Sequence, residues 1–162
     1  MYPTQEILRR LSALEAETGG AGATGGLVAT YSADNGAVDV SVVTGPGQTP
    51  VVTMPGVVTA AGQKVKIDAT TYFINGDVAK YTADMQVTVD GVVVDETKQD
   101  VVQHASNTTI TRSFEVLGLA PGAHTIVLSM GVLGITAPTV PGAGSTPNGT
   151  PGARLTAEVV SV

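Results

Sequence analysis

Residues 81–102 read YTADMQVTVDGVVVDETKQDVV. Apolar and polar side chains alternate through the first half of this stretch, and the apolar set is Tyr81, Ala83, Met85, Val87 and Val89. Successive side chains of a strand point to opposite faces, so the period of two predicts a strand with one apolar face. Asp90-Gly91 then separates this run from Val92, Val93 and Val94. Asp-Gly favours a two-residue type I′ turn, because both central residues need positive φ. The stretch therefore predicts an antiparallel hairpin with one polar and one apolar face.

The composition favours one aliphatic β domain with a small appendage. The 162 residues are 43% hydrophobic, but aromatic residues make up only 4% and tryptophan is absent. A chain of this length can bury a substantial core, so we expect that core to consist of valine, isoleucine, leucine and alanine. A sequence rich in valine, threonine and glycine favours sheet over helix.

The charge and the cysteine content exclude several kinds of site. The net charge is −6 and the eight lysine and arginine residues are scattered along the chain, so we expect no basic patch that would bind nucleic acid. There is no cysteine, which excludes a disulfide scaffold, a thiolate metal site and a cysteine nucleophile. No apolar signal core and no segment long enough to span a membrane is recognisable in the sequence. We therefore expect synthesis in a cytoplasm.

The N-terminal region is predicted to form the one helix of the chain, over residues 4–18. Its apolar residues fall on a narrow seam at helical spacing, made by Ile7, Leu8, Leu11 and Leu14. A helix of about four turns is marginal in isolation, so the seam must be buried against something. The spacing leaves two options open: docking onto the chain's own β domain, or a short parallel bundle with other copies.

The sequence after the helix favours the second option. Residues 19–26 read GGAGATGG, which is typical of a flexible linker with little to pack. Such a tether suits a helix that orients independently of its domain. We therefore predict an oligomerisation or anchoring helix in residues 1–18, a glycine-rich linker in residues 19–26 and a β-sandwich domain in residues 27–162.

Many short strands separated by turn residues are predicted after the linker. Their predicted ranges are 27–31, 37–44, 51–54, 56–60, 63–73, 81–89, 92–95, 99–104, 108–117, 123–132 and 153–161. Several of them alternate clearly, and one apolar face is shared by His124, Ile126, Leu128 and Met130. Another is shared by Val38, Val40 and Val42. Many short strands without an internal helix predict an all-β fold, an antiparallel two-sheet sandwich, and we expect a jelly roll.

A long loop interrupts this pattern at residues 134–152. It contains four prolines and five glycines, which predict an absence of regular structure. A long loop of this kind in a compact domain is usually functional or disordered, and both options stay open. Because it joins two predicted strands, it should leave the sandwich and return. It is the first candidate for a contact surface, through Thr139, Pro141, Ser145, Pro147 and Asn148.

Residues that could carry chemistry do not form a recognisable catalytic motif. His104 and His124 fall on predicted strands, and neither lies near a second histidine in sequence. We expect His124 to be a hydrogen-bonded residue at a strand end rather than a ligand. No serine-nucleophile, phosphate-loop or dinucleotide motif occurs. We therefore expect no enzymatic activity and no cofactor.

Two acidic clusters and one arginine could have either a chemical or a purely structural role. The clusters surround predicted turns and consist of Asp90, Asp95, Glu96 and Asp100, and of Asp34, Asn35 and Asp39. Carboxylates near a turn can hold Ca²⁺, but the spacing matches no known loop, so we predict no metal. Arg112 is in phase with the apolar Ile110 and Phe114. An interior arginine needs a carboxylate partner, and we favour a subunit interface or the rim of a sheet.

Three features together resemble the small trimeric fibre proteins of tailed bacteriophages, which carry a sandwich of the tumour-necrosis-factor/C1q-like kind. These features are the short helix, the glycine tether and the valine- and threonine-rich sandwich. The segment LGLAPGAHTIVL at residues 117–128 looks like the entry into a late jelly-roll strand of that group. The final run RLTAEVVSV at residues 154–162 is similar to its closing strand.

The resemblance implies a non-enzymatic virion structural protein, a head fibre or a capsid decoration. It implies a homotrimer that contacts other virion proteins of the capsid, neck or baseplate, located in the virion after synthesis in the host cytoplasm. A receptor- or glycan-binding tail or adhesin domain is the alternative, with a host surface receptor or glycan as partner. Glycan-binding jelly rolls usually present tryptophan or tyrosine to the sugar, and the low aromatic content departs from them.

Overall fold

The structure, a computed structural model, describes residues 26–42, 45, 47–74, 81–101, 107–133, 139–140, 142 and 152–162. Within these ranges all the regular secondary structure is β-strand. The strands are β1 (Leu27–Asp34), β2 (Val40–Ser41), β3 (Thr49–Thr59), β4 (Gln63–Ile74), β5 (Tyr81–Val89), β6 (Val92–Val101), β7 (Asn107–Val116), β8 (Gly122–Leu133), β9 (Thr139–Val140) and β10 (Arg154–Ser161).

Two antiparallel sheets form a sandwich. In sheet A the long strands lie in the order β1-β10-β4-β7, since Asp68 of β4 is in register with Thr156 of β10 and with Ser113 of β7. The short strand β9 pairs with Ile74 at the end of β4, and β2 pairs with β9. Sheet B has the order β3-β8-β5-β6. The prediction of an all-β antiparallel sandwich is confirmed.

The apolar core lies between the two sheets. Alternate residues of β5 and β10 are completely buried there, namely Ala83, Met85, Val87, Leu155, Ala157 and Val159. The core is aliphatic as predicted, with methionines added at positions 54, 85 and 130. Unbranched methionine side chains fill irregular gaps well. Among the described residues, the aromatic side chains of Tyr31 and Phe114 pack only at the margin of the core.

The β5–β6 hairpin has the predicted geometry. Val89 pairs with Val92 across a two-residue turn. Both turn residues have positive φ, 51° at Asp90 and 81° at Gly91, as a type I′ turn requires. The predicted apolar face of β5 is buried from Ala83 to Val89.

Two pairs of predicted strands are single strands in the structure. The predicted strands 51–54 and 56–60 are both parts of β3, and those at 92–95 and 99–104 fall on β6, which ends at Val101. In β3 the register shifts between Met54 and Val57, where Gly56 has a φ of 75°. The Pro55-Gly56 pair therefore forms a β-bulge, which bends a strand without ending it.

The predicted strand at 37–44 is shorter over its described residues 37–42. Among these, Val40–Ser41 pairs, as β2, and Val38 is 68% exposed rather than sharing the face of Val42, which is buried. A turn at 36–37 leads into this short strand.

The predicted absence of regular structure in 134–152 was also wrong at one point, because Thr139–Val140 forms β9 against β2. The predicted helix over 4–18 and the linker residues 19–25 lie outside the described residues and stay predictions.

Candidate functional site

Among the described residues, the places where polar side chains come together include the surroundings of His124, the outer face of sheet B and the edge where β6 and β7 meet. The first is the His124 cluster, defined by Thr59, Asp90, Ala120 and His124. His124 lies at the start of β8, and its side chain is 8% exposed. The residues predicted to share its apolar face, Ile126, Leu128 and Met130, are buried in the core. The expectation of a hydrogen-bonded residue at a strand end is confirmed.

Both ring nitrogens of His124 face an acceptor. Nδ1 lies 2.7 Å from Asp90 Oδ2, and Nε2 lies 2.8 Å from the carbonyl oxygen of Ala120. A carboxylate and a carbonyl can only accept, so this geometry favours the imidazolium form, in which both nitrogens donate. The hydrogen bond to Asp90 is the main cause that raises the pKa of His124. The same bond, together with the Thr125 amide, lowers the pKa of Asp90.

The cluster contains a hydroxyl, an imidazole and a carboxylate in the order of a catalytic triad. Its hydrogen bonds, however, do not allow the imidazole to act as a base toward the hydroxyl. Thr59 Oγ1 lies 3.0 Å from His124 Nε2, yet it donates its proton to the Ala120 carbonyl, also at 3.0 Å. A general base needs a free nitrogen lone pair, and both nitrogens of this ring already donate. The arrangement therefore joins three segments, namely the end of β3, the β5–β6 turn and the approach to β8.

The second place is a cleft of about 310 Å³ on the outer face of sheet B, called here the sheet B cleft. Its polar lining is Gln48, Asp84, Gln86, Glu96 and Lys98. Asp84 is in register with Lys98 of β6 and with Gly131 of β8, which places all three on one stretch of the sheet. Gln48 reaches this face from the segment before β3 and donates its Nε2 proton to Asp84 Oδ2 at 3.0 Å.

Asp84 is a partly buried carboxylate of the cleft whose pKa is shifted by its surroundings. Its side chain is only 16% exposed, and burial raises its pKa. Lys98 lowers that pKa, but its Nζ lies 3.9 Å from Asp84 Oδ2 and closer, 2.7 Å, to Glu96 Oε1. The Oδ1 atom of Asp84 and the Oε1 atom of Gln48 are both buried and accept no hydrogen bond from the described residues.

The third place is the edge at which β6 and β7 meet. Arg112 Nε and Nη2 each lie 3.1 Å from a different carboxylate oxygen of Asp95. Arg112 is registered with the buried Ala69, so it projects from the inner face of its strand. The predicted position on the rim of a sheet is confirmed, and the carboxylate partner that an inward arginine requires is Asp95.

The predicted acidic clusters do not form a metal site. Among the described residues, no group of three or more histidine, cysteine, aspartate or glutamate side chains is placed to hold a metal ion. Asp90 bonds to His124, Asp95 to Arg112, Glu96 to Lys98 and Asp100 to Thr82. Around the first turn, Asp34 Oδ1 accepts from the Gly36 amide, Asn35 Oδ1 from Ala153 and Asp39 Oδ1 from Gly142.

Most of the predicted contact residues lie outside the described part of the chain. This holds for Ile7, Leu8, Leu11 and Leu14 of the helix, for Pro141, Ser145, Pro147 and Asn148 of the loop, and for His104. The backbone of Thr139 lies in β9. Its neighbours are anchored on sheet A, since Val140 is completely buried and the Gly142 amide donates to Asp39 Oδ1 at 2.7 Å.

The sequence analysis missed Gln48, Asp84 and Gly131 as members of one site. One signal was present, because an isolated glycine inside a strand often marks the close approach of another backbone. A Cβ on Gly131 would lie 2.8 Å from the Gly47 carbonyl oxygen and 2.9 Å from Gln48 Nε2. Glycine therefore lets the segment before β3 cross over β8.

No protein-family model matches the sequence, and the search of curated proteins found no match. None of the described residues forms a helix with the length and apolarity of a membrane span. Among solved structures, the chain is similar to one in the structure of the infectious bursal disease virus Gt strain, with 10% identity, a TM-score of 0.47 and coverage of 82% of this chain and 39% of that one. The chain thus spans about two fifths of the length of that viral protein.

Two other similar chains are of different kinds. One belongs to dimeric latent PorU from Porphyromonas gingivalis, with 12% identity, a TM-score of 0.36 and coverage of 89% of this chain and 14% of that one. The other is described as "CBM4 structure and function", with 17% identity, a TM-score of 0.33 and coverage of 80% of this chain and 89% of that one. All three TM-scores lie below 0.5, so none of these likenesses carries an argument about family or function.

Proposed function

We propose that this chain is a non-enzymatic structural protein of a virion, a head fibre or capsid decoration of a tailed bacteriophage. In this proposal it assembles as a homotrimer, its N-terminal helix fastens it to the particle, and its sandwich points outward. The observation that carries the proposal is the order of the strands in the two sheets. The helix and its tether, which lie outside the described residues, enter from the sequence alone.

The strand order supports a jelly roll. Sheet A has the long-strand order β1-β10-β4-β7 and sheet B has β3-β8-β5-β6. The chain changes sheet between β2 and β3, β3 and β4, β4 and β5, β6 and β7, β7 and β8, and β8 and β9. We infer two interleaved Greek keys, which define the jelly roll of viral capsid proteins, lectins and cupins. This is an analogy of fold, and the sites must decide among the three classes.

The sites of the described residues fit the structural class better than the other two. Cupin chemistry needs a cluster of metal ligands, and the described side chains offer no such group. Lectins commonly stack a sugar on an aromatic ring, whereas the described lining of the sheet B cleft contains no aromatic residue. His124 has both ring nitrogens occupied. What remains favours a protein that acts through packing.

The oligomeric part of the proposal can be tested with the full chain. Mass photometry of the purified protein should give a trimer, and Leu11→Asp should reduce it to a monomer because a charge enters the apolar seam. Ser12→Asp is the matched control, since it adds the same charge outside the seam. A wild-type protein that is monomeric, or a trimer that both variants leave intact, contradicts the anchoring role of the helix.

The virion part needs a separate test. We expect genes for a major capsid protein, neck or tail tube beside the gene for this chain, and we expect the protein in purified particles by mass spectrometry. A neighbourhood of secretion or adhesin genes, with no particle containing the protein, would reject this role.

A receptor- or glycan-binding domain is the second candidate, through residues 134–152. The observation that favours it is the anchoring of the loop, because Val140 and the Gly142 amide hold one end to sheet A and the buried Ala153 holds the other. Replacing residues 143–150 with a glycine-serine linker of equal length should keep the fold and abolish binding to cells or glycans. Unchanged binding removes the loop from consideration.

A further inference from the structure

The described residues of the segment before β3 are held across the outer face of sheet B by one backbone and one side-chain hydrogen bond. The Gly45 amide donates to the Val132 carbonyl at 2.9 Å, and Gly47 and Gln48 lie over Gly131. Residues 45, 47 and 48 are called here the crossing segment. Its side-chain hydrogen bond to the sheet runs from Gln48 Nε2 to Asp84 Oδ2. Its position therefore depends on the state of the Asp84 carboxyl group.

The Gln48–Asp84 pair has two oxygens without a donor. One hydrogen bond joins the two groups, and the oxygens outside it, Gln48 Oε1 and Asp84 Oδ1, are sealed from solvent and accept nothing from the described residues. An unsatisfied buried acceptor is costly, about 1–3 kcal/mol for an uncharged group and more for a charged one. Two such atoms in one bonded pair therefore need an explanation.

A single proton on Asp84 Oδ1 would remove the charge from that oxygen and offer a donor to Gln48 Oε1. A protonated carboxyl has one O–H donor and keeps an acceptor, so Oδ1–H can donate to Gln48 Oε1 while Oδ2 still accepts from Nε2. A ligand bound in the cleft is a poorer donor for these two oxygens, because neither oxygen is in contact with solvent. We propose that Asp84 carries this proton in the folded protein and that it fastens the crossing segment to sheet B, so that rising pH releases the segment.

The groups around Asp84 act on its pKa in both directions. Burial is the largest influence and raises the pKa from 3.8, and the charge and side-chain hydrogen bond of Glu96 raise it further. Lys98 and the hydrogen bond from Gln48 lower it, but Lys98 lies closer to Glu96 than to Asp84. On β8 the facing residue is Gly131. The adjoining Val43, Thr44 and Pro46 have no titratable side chain.

The sign of the pH dependence follows from that direction. The pKa of Asp84 is higher in the folded state than in the unfolded state, so its contribution to stability is complete below about pH 3.8 and is lost as the pH rises through the folded value. Deprotonation leaves a buried anion whose cation, Lys98, is already engaged by Glu96.

The test uses the full chain and two measurements. An NMR titration of the carboxyl carbons, in which the Asp84→Asn variant identifies the Asp84 signal, should give Asp84 a pKa above the ordinary aspartate range. Amide exchange at Gly45, Gly47, Gln48 and Thr49, corrected for intrinsic rates, should lose at least about threefold in protection as Asp84 ionises, while β10 keeps its protection. In Asp84→Asn, whose amide supplies an N–H where the acid has its O–H, that loss should disappear.

Asp100→Asn is the matched control. It removes a carboxylate of β6 that accepts from the Thr82 hydroxyl instead, and it should leave the exchange of residues 45 and 47–49 as in wild type. A pKa of Asp84 at or below the ordinary aspartate range overturns the inference. So does an Asp84→Asn protein in which residues 45 and 47–49 exchange faster than wild type at every pH, because the ionised carboxylate would then be the form that holds Gln48.

Discussion

Arg112 of β7 and Asp95 of β6 join the two sheets at one edge of the sandwich by two parallel hydrogen bonds, each 3.1 Å long. Both side chains project toward the inner face, since Arg112 is registered with Ala69 and Asp95 with Val87, and both of these partners are buried. Inward-pointing charges on edge strands discourage pairing with the edge of another molecule. The pair therefore closes this side of the core and protects two strand edges at once.

The first prediction concerns this pair. Arg112→Lys should lower the free energy of unfolding by a small amount, because a lysine cannot form the two-point contact with Asp95. Asp95→Asn should have a similar effect, and the double variant should be no worse than the more damaging single one. Denaturant titrations of the three variants measure this coupling.

The Lys64–Glu115 pair provides the comparison. It makes a single contact of 2.9 Å on sheet A, with Glu115 44% exposed. Exposed single contacts contribute little, so the cycle of Lys64→Met and Glu115→Gln should give a smaller coupling. Equal couplings in the two cycles contradict the special role of the Arg112–Asp95 contact.

The second prediction is a pH dependence that arises from His124. Its pKa is raised in the folded state, so the stabilisation is complete below about pH 6.5 and is lost as the pH rises through the folded value. Asp90 has a lowered pKa, so its share is present above about pH 3.8 and is lost as the pH falls through its folded value. The pair should therefore contribute most between these two limits.

His124→Gln isolates the effect. The difference in unfolding free energy between wild type and His124→Gln should be largest near pH 5 to 6 and should shrink by pH 9, as measured by urea titration at each pH. The difference cancels the contribution of His104, which both proteins retain. A difference that does not change between pH 5 and pH 9 would mean that the imidazolium is not the stabilising form.

Local patterns in the sequence predicted the features that depend on neighbouring residues. The buried face of β5, the turn at Asp90-Gly91 and the inward position of His124 each follow from alternation or from the φ preference of two adjacent residues. Arg112 was placed on its inner face by the same alternation. These features depend little on where the rest of the chain lies.

The features that were missed depend on contacts between distant segments. Gln48 and Asp84 are 36 residues apart, and nothing in the local pattern of either residue indicates the other. A break between two strands was predicted at Pro55, because the sequence does not show that β8 continues past it and admits a bulge. β9 was missed since two residues become a strand only through pairing with β2 and Ile74.

The third prediction compares two leucines of β8. Leu128 is completely buried, whereas Leu133 is 52% exposed. Leu128→Ala should cost about 2–5 kcal/mol of unfolding free energy, because it leaves a cavity between the sheets. Leu133→Ala should stay within about 0.5 kcal/mol, as is usual for a surface position. Equal losses in denaturant titrations would contradict the assignment of the core to one face of β8.

The fourth prediction tests the anchoring of the loop at Gly142. A Cβ at this position would lie 2.5 Å from the Ala37 carbonyl carbon and 2.5 Å from the Val38 nitrogen, both of which are backbone atoms that cannot rotate away. Gly142→Ala should therefore separate residues 139–142 from β2, with a loss of about 1–3 kcal/mol or more. Amide exchange should accelerate at residues 37–42 ahead of the core strands. Gly26→Ala is the matched control, since a Cβ there meets nothing within 4 Å. If the two alanine variants are equally stable and residues 37–42 exchange as in wild type, the loop is not held at Gly142, and the anchored loop that favours a binding role loses its support.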